Sequence, residues 1–216
     1  MIHSDAETSN VSTHIGEERP PPVRIAVAGL YRSGSTAIAG ILHRLGVDMG
    51  PPFYENYYES FFLSAQLRLW WQEPFIIERV SSEHRVQLLK QWISQSKMVN
   101  AKAVGAKHPL FCLCCDDILS AWGHNTRFVW AYRSLETSVA SLARQGWWHP
   151  LECRRVQEIL WEEANLFFSK NNHFRLEYEE LVREPIEHIK KVTEFLNLNS
   201  TEKEIQAAAE FILSHN

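Results

Sequence analysis

Arg24-Ile25-Ala26-Val27-Ala28-Gly29-Leu30-Tyr31-Arg32-Ser33-Gly34-Ser35-Thr36 decides how the rest of this chain is read. Five residues from Arg24, four of them apolar, stop at a glycine, which fits a short buried strand. Leu30 to Gly34 is a tight loop. Ile38, Ile41, Leu42 and Leu45 then recur at helical spacing, and Gly46 supplies a helix stop. Strand, glycine-bounded loop and helix form one unit, the arrangement in which backbone N–H groups cradle an anion. Two glycines five positions apart and a final Thr36 also match the nucleotide P-loop, except that Ser35 stands where the lysine belongs. Without that point charge, the loop suits a phosphate better than the β- and γ-phosphates of a triphosphate. Arg32 offers a cation at a different place, with a planar fork that matches oxyanions. A plain glycine turn between strand and helix would look similar, but both flanks agree with the anion cradle.

Outward from this unit, strands alternate with helices, the pattern of an α/β fold with a mainly parallel sheet. Lys102 to Lys107, Arg127 to Tyr132 and Phe174 to Tyr178 read as further strands. Helices are expected over 83–93, 110–122, 134–144 and from the Pro150 break to about Phe168. Pro185 opens another, and Thr201 with Glu204 forms a capping box for the last. An aromatic stretch from Phe53 to Trp71 reads as a loop leading into a helix. Residues 1–22 read as a flexible tail without the apolar content to fold, and 23–216 as one domain.

The chain has 216 residues and a net charge of −4, of which the tail carries −3. A nearly neutral body lacks the dominant basic footprint of a nucleic-acid binder, so any basic site is local. No apolar run approaches the roughly 20 residues that span a bilayer, and the N-terminus carries no apolar leader. Four cysteines, three of them in Phe111-Cys-Leu-Cys-Cys115, do not form a secreted disulfide framework. These features point to the cytoplasm. His108 with those cysteines lacks the paired spacing of a zinc site, and small buried thiols explain them better.

Three segments, in order, resemble the sulfotransferases that use 3′-phosphoadenosine 5′-phosphosulfate (PAPS). Gly29-Leu-Tyr-Arg-Ser-Gly-Ser-Thr36 is similar to their 5′-phosphosulfate loop. Phe128-Val-Trp-Ala-Tyr-Arg133, with Ser141 eight positions on, resembles their 3′-phosphate motif. Tyr178-Glu179-Glu180-Leu181, followed by Arg183-Glu184-Pro185, resembles their Tyr-Glu-Asp-Leu segment, and Leu45-Gly46-Val47 gives the bacterial flavour. The resemblance implies a P-loop-containing three-layer α/β/α fold and sulfuryl transfer from PAPS, without a metal, to a hydroxyl or amine of a small-molecule, lipid or glycan acceptor. It implies that Arg32, Ser33, Gly34, Ser35 and Thr36 hold the 5′-phosphate and that Arg133 and Ser141 hold the 3′-phosphate. Tyr178 matches a position near the adenine, although a strand-end core tyrosine would read the same.

Positioning and cationic stabilisation should dominate such a transfer. Arg32 is the first candidate cation and Lys107, at the end of a predicted strand, the second. The acceptor proton calls for a general base. Glu59, among aromatic neighbours that would raise its pKa if it is buried, resembles the base of glycan-type sulfotransferases. His108, in Lys107-His108-Pro109-Leu110, resembles the cytosolic-type Lys-Thr-His segment with one residue missing, and it could equally cap the helix that follows. Glu59 is the favoured base. The chain departs from cytosolic relatives in lacking an Arg-Lys-Gly segment between Asn199 and Asn216. Two other readings must be separated from this one: a small-molecule P-loop kinase with Glu179 on Mg²⁺, and a nucleotide-binding module without turnover.

Overall fold

The computed structural model describes residues 23–54, 56–95 and 101–214; the tail reading for 1–22 lies outside them. The central strand is β1 (Val23–Gly29), flanked by the parallel strands β7 (Ala103–Lys107) and β8 (Thr126–Tyr132). The short β2 (Val47–Asp48) and β9 (His173–Glu177) complete a five-stranded parallel sheet in the order β2-β7-β1-β8-β9. Two small antiparallel pairs stand apart, β3 (Phe53–Tyr54) with β4 (Glu59–Ser60) and β5 (Trp71–Gln72) with β6 (Ile77–Glu78).

Strand alternation divides the core into two faces. Ile25, Val27, Val129 and Ala131 pack against α1 (Ser35–Arg44), α7 (Tyr178–Arg183), α8 (Pro185–Leu196) and α9 (Glu202–Ser214). Ala26, Ala28, Phe128 and Trp130 face α2 (Phe61–Trp70), α3 (Ser82–Gln95), α4 (Cys115–Trp122) and α6 (Pro150–Phe168). Both sheet faces are therefore covered, which is why the strands read as near-continuous apolar runs. The α/β, three-layer expectation is met. Each large apolar side chain fully buried here contributes about 1.5–3 kcal/mol. No described helix is long and apolar enough to cross a membrane.

The predicted helix over 110–122 is two pieces. A 3-10 turn over Pro109–Leu113 ends at Cys114 (φ −141°, ψ 28°), and α4 begins at Cys115 with Asp116 and Asp117 in its first turn. Those acids favour a fresh helix N-terminus at that place. The last strand stops at Glu177, so Tyr178 opens α7 instead of closing the strand. The capping box at Thr201 forms, with the Glu204 amide donating to Thr201 Oγ1 and Glu204 Oε2 accepting from the Thr201 N–H at 2.7 Å.

Strand order reverses about β1, so the carboxyl ends of β7, β1 and β8 form the crevice where open α/β sheets bind ligands. Gly29 is required there. A Cβ at that position would lie 2.4 Å from the carbonyl oxygen of Ala131, forcing β1 away from β8.

Candidate active site

The loop leaving β1 turns sharply: the Ser33 N–H donates to Leu30 O at 3.2 Å, and Arg32 and Gly34 adopt left-handed φ angles of 62° and 85°. α1 starts at Ser35 with no side-chain cap, so its first-turn N–H groups have no side-chain acceptor. Ser33 is 0% exposed and its hydroxyl has no hydrogen-bond partner. The uncapped amides suit a bound phosphate oxyanion, whose charge the helix N-terminus also favours, whereas the Ser33 hydroxyl is packed beneath the loop against Gly29 and does not line the cleft.

Beside this loop lies the end of β8. Arg133 donates from Nη1 to the Arg32 carbonyl at 3.2 Å and from Nε to Glu179 Oε1 at 2.6 Å, and its guanidinium sits 5.1 Å from the Tyr178 ring centre. The guanidinium has five N–H groups, so these bonds leave donors for a ligand. From α5 (Leu135–Ala143), the buried Ser141 hydroxyl accepts a long 3.5 Å bond from Arg32 Nε. Arg32, Gly34, Ser35, Thr36, Arg133 and Tyr178 open onto one cleft of about 980 Å³, which Arg44, Phe53, Tyr58 and Phe211 also line. Glu179, the acid a magnesium-nucleotide reading would use, is ion-paired with Arg133.

A second cluster forms at the end of β7. Lys107, 2% exposed, donates to Thr36 Oγ1 at 3.1 Å and to Glu59 Oε1 at 2.7 Å. Glu59, 7% exposed, comes from β4, and its other oxygen is 3.7 Å from His108 Nε2. Burial pushes the Glu59 carboxyl up, but His108 and Lys107 together outweigh it and hold it below the ordinary range. The sequence-based expectation of a raised pKa at Glu59 therefore fails, because the Lys107 ammonium is hydrogen-bonded to it among the aromatics. Burial also depresses Lys107, with the Glu59 charge opposing.

His108 Nδ1 accepts the Leu110 N–H at 3.1 Å, capping the 3-10 turn; this bond assigns the neutral ring's proton to Nε2. Burial, opposed by Glu59 and aided by Lys107, lowers its pKa to about 4 from 6.5. The folded pKa is the lower one, so the unfolded chain binds the proton first as pH falls. His108 should therefore withdraw stability between about pH 6.5 and pH 4, by about 3 kcal/mol at 1.36 kcal/mol per unit. Thermal unfolding from pH 7.5 to 4.5 measures this, and His108→Gln should flatten the slope. An unchanged slope in that variant would place the acid sensitivity elsewhere.

A sequence model of the sulfotransferase family matches residues 22–202. The chain belongs to the sulfotransferase family. Among solved structures it is similar to sulfotransferase STF9 from Mycobacterium avium, with a TM-score of 0.62 and 14% identity over 92% of this chain and 69% of that one. The sulfotransferase domain of the Synechococcus PCC 7002 olefin synthase gives a TM-score of 0.56 and 16% identity, covering 89% of this chain and 79% of that domain. Sulfotransferase STF1 from Mycobacterium tuberculosis H37Rv gives 0.55 and 15%, covering 90% and 72%. At such identities the likeness carries the fold. No curated protein matches significantly.

This sulfotransferase brings the loop and the end of β8 onto one cleft, and Lys107 joins Glu59 to the loop through Thr36; Ser141, Lys107, Glu59 and His108 are themselves buried and are not among the residues lining that cleft. The aromatic stretch divides between roles. Phe53 and Tyr58 line the cleft, Trp70 and Trp71 are core, and Phe62 is largely exposed. The four cysteines are free and buried, and Cys114 and Cys115 donate to backbone carbonyls one turn back. Sequence reading missed Arg44, whose guanidinium stacks 3.7 Å above the Phe211 ring, and Arg85, whose buried fork joins Asp117 to Glu78. It also gave no part to Gln157. Nothing in the local pattern marks these residues, because their partners are distant in the chain.

Proposed function

We propose that this sulfotransferase takes a sulfuryl group from PAPS and delivers it to a hydroxyl or amine of a small-molecule, lipid or glycan acceptor. The observation that carries the reading is the convergence of an uncapped, lysine-free anion loop and Arg133 on one cleft. A ribose-borne 3′-phosphate distinguishes this donor from ordinary adenine nucleotides, and a second cation beside the loop is what its recognition needs.

In this reading the α1 amides with Ser35 and Thr36 hold the 5′-phosphate, Arg133 and Ser141 hold the 3′-phosphate, and Tyr178 borders the base. The bond from sulfur to the donor's phosphate oxygen breaks as the bond from sulfur to the acceptor oxygen or nitrogen forms. Glu59 takes the acceptor proton, and adenosine 3′,5′-bisphosphate departs. Lys107 and Arg32 stabilise the charge gathering on the leaving oxygen. Lys107 already touches both Thr36 and Glu59, so one ammonium links the donor loop to the base. His108 holds the turn after β7 and presents its Nε2 proton towards Glu59, which supports Glu59 as the base.

Calorimetry with adenosine 3′,5′-bisphosphate and with AMP tests the reading. The bisphosphate should bind at least tenfold more tightly, without added metal. Arg133→Ala should remove most of that preference, because charge-assisted hydrogen bonds of about 1.5–3 kcal/mol correspond to roughly 10–100-fold. Equal binding of the two ligands by the parent protein would overturn the donor assignment.

A further inference from the structure

Gln157 lies on α6, on the sheet face away from α1, and is 0% exposed. A buried carboxamide far from solvent needs partners for both ends. Here both go to one residue: Gln157 Oε1 accepts the Tyr31 N–H at 3.2 Å, and Gln157 Nε2 donates to the Tyr31 carbonyl at 2.7 Å. Tyr31 is the residue immediately before Arg32. Its N–H belongs to the peptide plane entering Tyr31 and its carbonyl to the plane leaving it. One side chain thus fixes both planes, and with them φ and ψ of Tyr31.

Consequences reach Arg32 directly. The plane leaving Tyr31 is the plane that enters Arg32, whose φ of 62° is unfavourable for a side-chain-bearing residue. On its other side, the Arg32 carbonyl accepts from Arg133. The Arg32 backbone is therefore held between Gln157, acting through Tyr31, and Arg133. Two further contacts keep Tyr31 in place: its phenol donates to Glu73, and its ring meets Trp148 edge-on at 5.6 Å. Asparagine and glutamine carry a donor and an acceptor side by side on one planar amide, which suits them to bond both the N–H and the C=O of a single residue.

We infer that Gln157 is a positioning residue for the anion loop: its carboxamide stands in for a neighbouring strand and holds the Tyr31 peptides so that Arg32 and the α1 amides meet the 5′-phosphate. This rests on the donor-binding reading above, and the test separates the two. Gln157→Met keeps the length of the side chain and Gln157→Leu shortens it, and each loses both bonds to Tyr31. Binding of adenosine 3′,5′-bisphosphate and of adenosine 3′-monophosphate is measured by calorimetry for parent and variants, with thermal unfolding in parallel.

The expected result is a 10–100-fold loss of bisphosphate affinity in both variants, with affinity for the 3′-monophosphate changed less than threefold. That split reports on the 5′-phosphate site and would not follow from general loosening of the fold, which would weaken both ligands. A parent protein that fails to bind the bisphosphate sinks the donor reading itself. Normal bisphosphate binding in folded Gln157→Leu, or equal losses for both ligands, overturns the inference alone. Failure of both variants to fold would assign Gln157 to the core and overturn it as well.

Discussion

Glu59→Gln will lower kcat by about 10²–10⁴-fold, the usual contribution of a positioned general base, while adenosine 3′,5′-bisphosphate still binds within about threefold of the parent. Glutamine keeps the volume and one acceptor oxygen for Lys107, so the donor loop keeps its contact through Thr36. What disappears is the carboxylate proposed to accept the proton. The surroundings of Glu59 hold it ionised at neutral pH, since the Lys107 ammonium, with the Nε2–H of the neutral His108 turned towards the carboxylate, offsets burial. Activity of the parent should accordingly persist well below pH 7 until Glu59 protonates, and that acid limb should vanish in the variant. Some stability is lost too, because removing one partner of a buried ion pair costs about 3–5 kcal/mol and the retained hydrogen bond offsets only part of it. Kinetics must therefore be measured below the variant's own unfolding temperature. A variant that retains kcat within tenfold would dismiss Glu59 as the base.

Gly34→Ala should reduce bisphosphate affinity by about 100-fold. Gly34 sits at φ 85°, where an L side chain costs roughly 1–2 kcal/mol. Its added Cβ would also lie 2.1 Å from Cδ2 of Tyr178, an overlap that must be relieved by moving the ring or the loop, at about 1–3 kcal/mol. Either movement disturbs the site, since Tyr178 packs against the guanidinium of Arg133 and Gly34 leads into the α1 amides. Calorimetry on Gly34→Ala, Tyr178→Ala and the pair together separates the causes. If the clash dominates, the double variant binds better than the two single losses would predict by addition. Parent-like affinity in Gly34→Ala would mean that this loop does not hold the phosphate.

Much of this arrangement could be read before any coordinates. The unit from Arg24 to Thr36, the strands ending at Lys107 and Tyr132, and the helix opened by Pro150 all follow from local signals. Each signal is short-range: an apolar run stopped by glycine, a period near 3.6, a proline at a helix start. Arg32, Lys107 and Arg133 were legible as candidates because they flank such elements, and Glu59 through its resemblance in position to the base of glycan-type sulfotransferases. Their couplings were not. The ionisation of Glu59 depends on a lysine 48 positions away, and the pairing of Tyr31 with Gln157 spans 126 positions. The break at Cys114 was hidden for a different reason, since apolar residues on both sides continue a helical period that hydrogen bonding does not.

The loop's missing lysine has a counterpart in the sheet. Lys107 lies in register with Val27 across β1 and β7, and its ammonium meets Thr36 from there. The ammonium at the mouth of α1 is thus contributed by tertiary assembly, while the motif itself contributes the Arg32 guanidinium. A slip of β7 by one residue would turn that lysine to the opposite side of the sheet. Transplanting Gly29–Thr36 into another protein would carry the turn and Arg32 without that ammonium, so the proposed donor site depends on strand alignment and would not move as a linear cassette.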